Sequence, residues 1–150
     1  MLYDRSMTIQ DRCGAAYHEA GHAVVATALN CSVRKIDIGK SDASGGVEIE
    51  SNYQKMCFIA RIAICHAGRL AEVLFNAPMH AGSAGGDLGE VASLLEGLDE
   101  DTDSKIQRAG KVLAEEFLAT YKTSVERVAQ HLIIHEKMDG TTFSQLFTGR

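Results

Sequence analysis

His18-Glu19-Ala20-Gly21-His22 sets two imidazoles four residues apart with a carboxylate beside the first. On a helix, residues four apart share a face, so both rings can reach one tetrahedral ion at the roughly 2 Å distance that zinc requires. Glu19 stands one position around, close enough to touch a water on such an ion without becoming a ligand. There it can take the water's proton, while zinc brings that water's pKa towards about 7 and so yields a nucleophile at neutral pH. At this chain's His and Glu frequencies the pattern arises by chance in roughly one such chain in fifty. Apart from Tyr17, the surrounding residues from Gly14 to Ala26 are Ala, Val and Gly. Among them an uncompensated imidazole or carboxylate carries a desolvation penalty that a metal ion removes. The plain alternative is a helix with His and Glu on a solvated edge.

Two imidazoles do not complete a catalytic zinc site, which usually has three protein ligands and an open position. No His, Glu or Asp follows within a dozen residues of His22, which excludes the class whose third His lies six residues beyond the second. The remaining candidates are distant: Glu72, His66, His80 and Asp87. His131 and His135 form another pair at helical spacing. With no further ligand specified, they read as flanking Leu132 to Ile134 on an ordinary amphipathic helix.

The elements that must position these groups follow from hydrophobic periodicity. Thr8 to Leu29 is alanine-rich and predicts a helix buried on most sides, with Asn30 as its stop. Ile36 and Ile38 alternate with Lys35 and Asp37, and Val47 and Ile49 with Glu48 and Glu50. A Gly/Ser turn from Gly39 to Gly46 joins them into a short β-hairpin. Ser51 and Gln54 form a capping-box signature that predicts the start of a long helix through Met56, Ile59, Ile62, Ala67, Leu70 and Leu74, limited by Pro78. A glycine-rich loop, Ala81 to Gly86, precedes Asp87, which with Glu90 reads as the cap of a helix reaching Leu98. The acidic stretch Asp99 to Asp103 is expected to separate this from helices at Ser104 to Thr120 and Ser124 to Lys137, before a terminal turn around Phe143 to Phe147. The expected fold is mainly α, a compact helical domain with one short β-hairpin. It forms a single domain over residues 1–150, the first seven being a disordered N-terminus.

Composition sets the outer limits. With 45% hydrophobic and 23% charged residues and one proline, the chain is too apolar for disorder. A net charge of -5 and no basic face exclude nucleic acid and anionic membrane as partners. Cys13, Cys31, Cys57 and Cys65 show no Cys-x-x-Cys pair and read as buried free thiols. The apolar run Met56 to Cys65 is too short to cross a bilayer and no secretory segment opens the chain, so a cytoplasmic location is expected.

Ala16-Tyr-His-Glu-Ala-Gly-His-Ala-Val-Val25 closely resembles the metal helix of the FtsH-type ATP-dependent zinc proteases. Gly68-Arg-Leu-Ala-Glu72 resembles that family's Gly-Gly-Arg-x-Ala-Glu stretch, and the glycine-rich loop into Asp87-Leu88 its Thr-Gly-Ala-x-x-Asp-Leu. The likeness covers Thr8 to Leu98, with a weaker one from Lys111 to Phe147, where Glu136 to Leu146 resembles the family's closing helix-turn. It implies a peptidase domain in which Asp87 is the third zinc ligand beside His18 and His22, and Glu19 is the catalytic residue. It also implies a role for Glu72 behind the ligands or as a partner of Arg69. Ala67 replaces the first glycine of the Gly-Gly-Arg stretch, Gly82-Ser83 replace Thr-Gly, and the Gly-Met-Ser segment of the family is missing. The family's ATPase module and membrane segment are expected to be absent, because the chain begins just before the metal helix.

The function expected from these residues is Zn2+-dependent hydrolysis of peptide bonds in unfolded or short peptide substrates, with an ATPase partner in trans and a homo-oligomer both conceivable. The rival is a zinc-stabilised peptide-binding or adaptor module. If the hairpin has an edge strand beside the zinc, an extended peptide can pair with it; otherwise the hairpin is a surface ribbon.

Overall fold

Thr8 starts the first helix by accepting a 3.1 Å hydrogen bond from the Asp11 amide on its hydroxyl, and Asn30, at φ 67°, ends the last turn. The left-handed conformation is one that asparagine tolerates better than most residues, which is why it stops a helix. The computed structural model describes residues 8–39, 46–79 and 85–149, the side chains of residues 51 and 85–88 excepted. In chain order the elements are α1 (Ile9–Ala28), β1 (Val33–Asp37), β2 (Gly46–Ile49), a 3-10 turn (Ser51–Lys55), α2 (Phe58–Leu74), α3 (Gly85–Leu95), α4 (Glu100–Thr120), α5 (Lys122–His135), β3 (Lys137–Asp139) and α6 (Gly140–Thr148). The fold is mainly α, as the periodicity predicts. Residues 1–7, the centre of the hairpin turn and most of the glycine-rich loop lie outside the described residues.

Helix α1 is the spine of the molecule. It packs against α2, α4 and α5 and beneath the sheet. Ala16, Ala20, Ala23, Val24 and Val25 are fully buried, and Ile36, Leu118, Val128 and Leu132 close over them from the neighbouring elements. Small side chains let the helices approach closely. A Cβ on Gly21 would stand 2.6 Å from the Ala67 carbonyl oxygen and 2.6 Å from the Ala71 methyl. Only glycine therefore allows α1 and α2 to cross at this depth. Helix α3 belongs to a second, smaller cluster, in which Val91 and Leu95 pack on Ile62 and Cys65 of α2.

The sheet contains more than the expected hairpin. Its order is β2-β1-β3, with both pairings antiparallel and Ile36 opposite Val47 on one side and Met138 on the other. Strand β3 was not anticipated because Lys137-Met138-Asp139 is too short to show a period. It arises where Glu136, at φ 67°, turns the chain out of α5.

Five features differ from the sequence reading. Ser51 and Gln54 do not cap α2: they lie in the 3-10 turn, Met56 is extended at ψ 154°, and α2 starts after Cys57. The Gln54 side chain instead accepts a 3.1 Å hydrogen bond from Arg61 Nη2. Helix α3 starts at Gly85, which places Asp87 within its first turn, the side chain itself lying outside the described residues. That helix stops at Leu95, with Gly97 at φ 84° just beyond. The acidic stretch from Asp99 is no separator but the start of α4, whose first turn carries Glu100, Asp101 and Asp103. Negative charge there is favoured by the amide dipoles of the helix. Finally, the terminal turn is a nine-residue helix, α6, capped by Asp139. The four cysteines are free, but Cys57 is exposed and Cys13 only half-buried.

Asp99 accepts a 2.8 Å bond from the Thr102 amide and another from its hydroxyl, and these hold its carboxyl below the ordinary 3.8. A lowered folded-state value means the cap's stabilisation is fully present above the ordinary value and is lost as pH falls through the folded one. Asp99→Ala should therefore lower the midpoint of urea unfolding at pH 7, with the gap to wild type closing below about pH 4. An unchanged midpoint at neutral pH would show that the cap does not hold α4.

Candidate metal centre

Helix α1 carries His18 and His22 one turn apart on the face it buries against α2, and both rings are nearly inaccessible, at 3% and 8% exposure. Each ring is fixed by its far nitrogen. His22 Nδ1–H donates to the Ile64 backbone carbonyl at 2.6 Å. A carbonyl can only accept, so Nδ1 carries a proton, and in the neutral ring His22 Nε2 presents a lone pair. His18 Nδ1–H likewise donates to Glu72 Oε1 at 2.8 Å. The two Nε2 atoms then face each other at 3.0 Å, with the ring planes at 79°. Two lone pairs at that separation repel unless a cation lies between them, either a proton shared along the line or a metal ion bonded to both. Two tetrahedral zinc ligands about 2 Å from the ion stand only slightly farther apart, so a small relaxation of either ring accommodates zinc.

Gly68 of α2 supplies the space. A Cβ there would lie 2.5 Å from His22 Nε2 and 2.6 Å from His18 Nε2, where an ion would sit. Ala67 in place of the glycine common in the resembled family is tolerated, being fully buried on the Gly21 side of the crossing. Glu72 is 0% exposed and holds the Nδ1 nitrogen of His18, the placement a carboxylate–imidazole–metal arrangement would require, while Arg69 is exposed. This placement favours the role behind the ligands over partnership with Arg69 and over ligation by Glu72 itself.

Glu19, half-buried on the next position of α1, turns its carboxylate towards the start of β2. A Cβ on Gly46 would stand 2.7 Å from Glu19 Oε2, and Gly46 also has φ 129°. Glycine is required there twice over, by conformation and by proximity. Strand β2 is thus the edge of the sheet nearest to Glu19.

The other candidates separate clearly. Asp87 is in the first turn of α3, which packs on α2, but its side chain lies outside the described residues, as does His80 altogether. Among the described residues no three His, Cys, Asp or Glu side chains are grouped to hold a metal. This includes His66 on α2 and the pair His131 and His135. The latter rings stack with centroids 4.3 Å apart, and burial, then the charge of His135, lowers the pKa of His131. No helix among the described residues is long and apolar enough to cross a membrane.

Sequence reasoning missed three parts of this centre. The Ile64 carbonyl is backbone and leaves no residue signature. Gly68 and Gly46 were visible as glycines, but only the crossing of α2 and the return of β2 show what they make room for.

Residues 5–98 match the model of peptidase family M41. The chain is 38% identical over 92 residues to the ATP-dependent zinc metalloprotease FtsH of Veillonella parvula, an alignment covering 56% of this chain and 14% of that protein. It is 38% identical over 97 residues to ATP-dependent zinc metalloprotease FtsH 4 of Sphaerobacter thermophilus, covering 59% and 14%. With the Oenococcus oeni ATP-dependent zinc metalloprotease FtsH it shares 34% over 90 residues, covering 55% and 12%. The match thus spans only about one seventh of the curated relatives' length.

Gly68→Ala should force the two imidazoles apart. We expect it to lower stability by about 1–3 kcal/mol, as overpacking does, and to abolish Co2+ binding followed by visible absorption. Retained Co2+ binding at wild-type affinity would show that the ion, if any, does not sit over Gly68.

Proposed function

This chain belongs to peptidase family M41, and on that premise we propose that it is a zinc-dependent endopeptidase domain acting on unfolded segments or short peptides. His18, His22 and Asp87 hold the ion in this reading, and Glu19 is the catalytic base. The observation that carries it is the pair of buried imidazoles, each anchored at Nδ1, whose Nε2 atoms converge at 3.0 Å over Gly68. When bound, zinc supplies Lewis acidity, which polarises a scissile carbonyl and makes water a stronger acid near neutral pH.

The protein's own groups do the rest. Glu72 draws on the Nδ1 proton of His18 and so makes its Nε2 a better donor, while the Ile64 carbonyl does the same for His22. Glu19 takes the proton of the attacking water and returns it to the departing amine, one carboxylate serving both halves of the cycle. Strand β2 is an outer strand of the sheet and begins beside the Glu19 carboxylate. We infer that an extended substrate pairs with this edge through main-chain hydrogen bonds, which select for an unfolded backbone more than for particular side chains. The relatives are named as ATP-dependent. For this chain an ATPase acting in trans, in an oligomer or a transient complex, is proposed as the source of unfolded substrate. A cytoplasmic setting suits such substrates and is part of the same proposal.

The purified chain should cleave casein, and a chelator should stop it. Glu19→Gln should reduce the rate by about 10²–10⁴-fold with zinc content unchanged by elemental analysis. Cleavage that survives Glu19→Gln would end the assignment. Bound zinc with no turnover of casein or of a varied peptide library would favour the peptide-binding module instead.

A further inference from the structure

A polar cluster near the start of α2 does nothing in the mechanism above. The Tyr53 hydroxyl donates to Glu90 Oε1 at 3.1 Å, and Arg61 Nη2 reaches the same oxygen at 3.4 Å. The Arg61 guanidinium lies 4.9 Å over the Tyr53 ring and also donates to Gln54 at 3.1 Å, while Cys65 Sγ is 3.7 Å from the Tyr53 hydroxyl. Three elements meet here: the 3-10 turn through Tyr53 and Gln54, α2 through Arg61 and Cys65, and α3 through Glu90.

Helix α3 needs such an anchor. Among the described residues its apolar contacts are in the small cluster of Ile62, Cys65, Val91 and Leu95, apart from the main core, whereas the Tyr53 ring packs against the main core itself. Glu90 follows Asp87 by three residues on α3, so the two positions share a face of the helix. We propose that Glu90, gripped by Tyr53 and Arg61, is a positioning residue that sets the depth and rotation of α3 and thereby delivers Asp87 to the metal centre. This rests on the reading of Asp87 as a zinc ligand.

The chemistry of the grip suits the task. A lone surface ion pair between Arg61 and a half-exposed Glu90 would contribute little. A phenol donating to a carboxylate is a stronger, directional bond. Burial first, and then the proximity of Cys65, raises the Tyr53 pKa, so the hydroxyl keeps its proton across the working range. Arg61 stacked on that ring narrows the rotamers of both. Because α2 also carries Gly68 and the Ile64 carbonyl, the clamp ties α3 to the same rigid helix that orients the imidazoles.

The chain can be tested with Glu90→Ala, Glu90→Gln, Tyr53→Phe and Asp87→Ala. Readouts are zinc affinity by chelator competition, the visible spectrum of the Co2+ form, and amide hydrogen exchange of the metal-free protein. We expect Glu90→Ala to weaken zinc binding roughly 10- to 100-fold, the range for groups that orient ligands. It should alter the Co2+ spectrum and speed exchange in α3 but not in the buried turns of α1. Tyr53→Phe, which keeps the ring in place, should act in the same direction, and Glu90→Gln, which still accepts both bonds, should restore affinity and spectrum. Wild-type exchange in α3 of both Glu90→Ala and Tyr53→Phe overturns the clamp even where Asp87→Ala destroys zinc binding. Zinc binding that survives Asp87→Ala intact removes Asp87 from the centre, and with it both the ligand assignment and this proposal.

Discussion

The arrangement depends on two hydrogen bonds that run from α1 to α2, one from each buried imidazole. The Glu72 carboxylate and the Ile64 carbonyl each hold one Nδ1 of the rings of His18 and His22, which are buried at a helix interface rich in small and aliphatic side chains. An uncompensated polar group in such a place costs on the order of 1–3 kcal/mol, and a charged one more. With these two bonds, each ring is satisfied on one side and committed on the other. The commitment is what makes the pair chemically useful, because both remaining lone pairs are aimed at one point.

Close packing makes that aim possible. Gly21 lets α1 sit against the Ala67 carbonyl, and Gly68 leaves a hollow at the imidazole edges. A larger side chain at either glycine would separate the helices or fill the hollow, so steric and chemical requirements coincide on the same two turns. The sheet adds the other wall: Gly46 brings the edge strand to the Glu19 carboxylate. The same helix α1 thus meets α2 with its histidines and β2 with its glutamate. Its side-chain period of about 100° per residue makes this division possible.

Helix α1, the two hairpin strands and most of α2 were legible, because each shows its own period and meets a buried or half-buried surface. Less legible were features in which a polar residue has two local uses. Asp99 could end a loop or cap a helix, and its two bonds to Thr102 make it the cap of α4. Gln54 could complete a capping box, yet its side chain is taken by Arg61, seven residues on. Glu90 could support a helix start, yet Tyr53 and Arg61 hold it. For Gln54 and Glu90 a partner beyond the local turn decided between the alternatives, whereas for Asp99 the choice lay with Thr102 three residues on.

His18, Glu19 and His22 could be read from the sequence because they lie on one turn of one helix, where spacing alone dictates which side chains share a face. That determination needs no partner. The groups that turn a shared face into a directed one come from elsewhere: a carboxylate 54 residues away, a main-chain carbonyl 42 residues away, and the missing side chains of Gly68 and Gly46. A carbonyl has no residue type, and an absent Cβ gains meaning only from what occupies its place. For that physical reason the candidate residues of the site were written in local sequence, while their orientation and the space between them were decided only when α2 and β2 closed on α1.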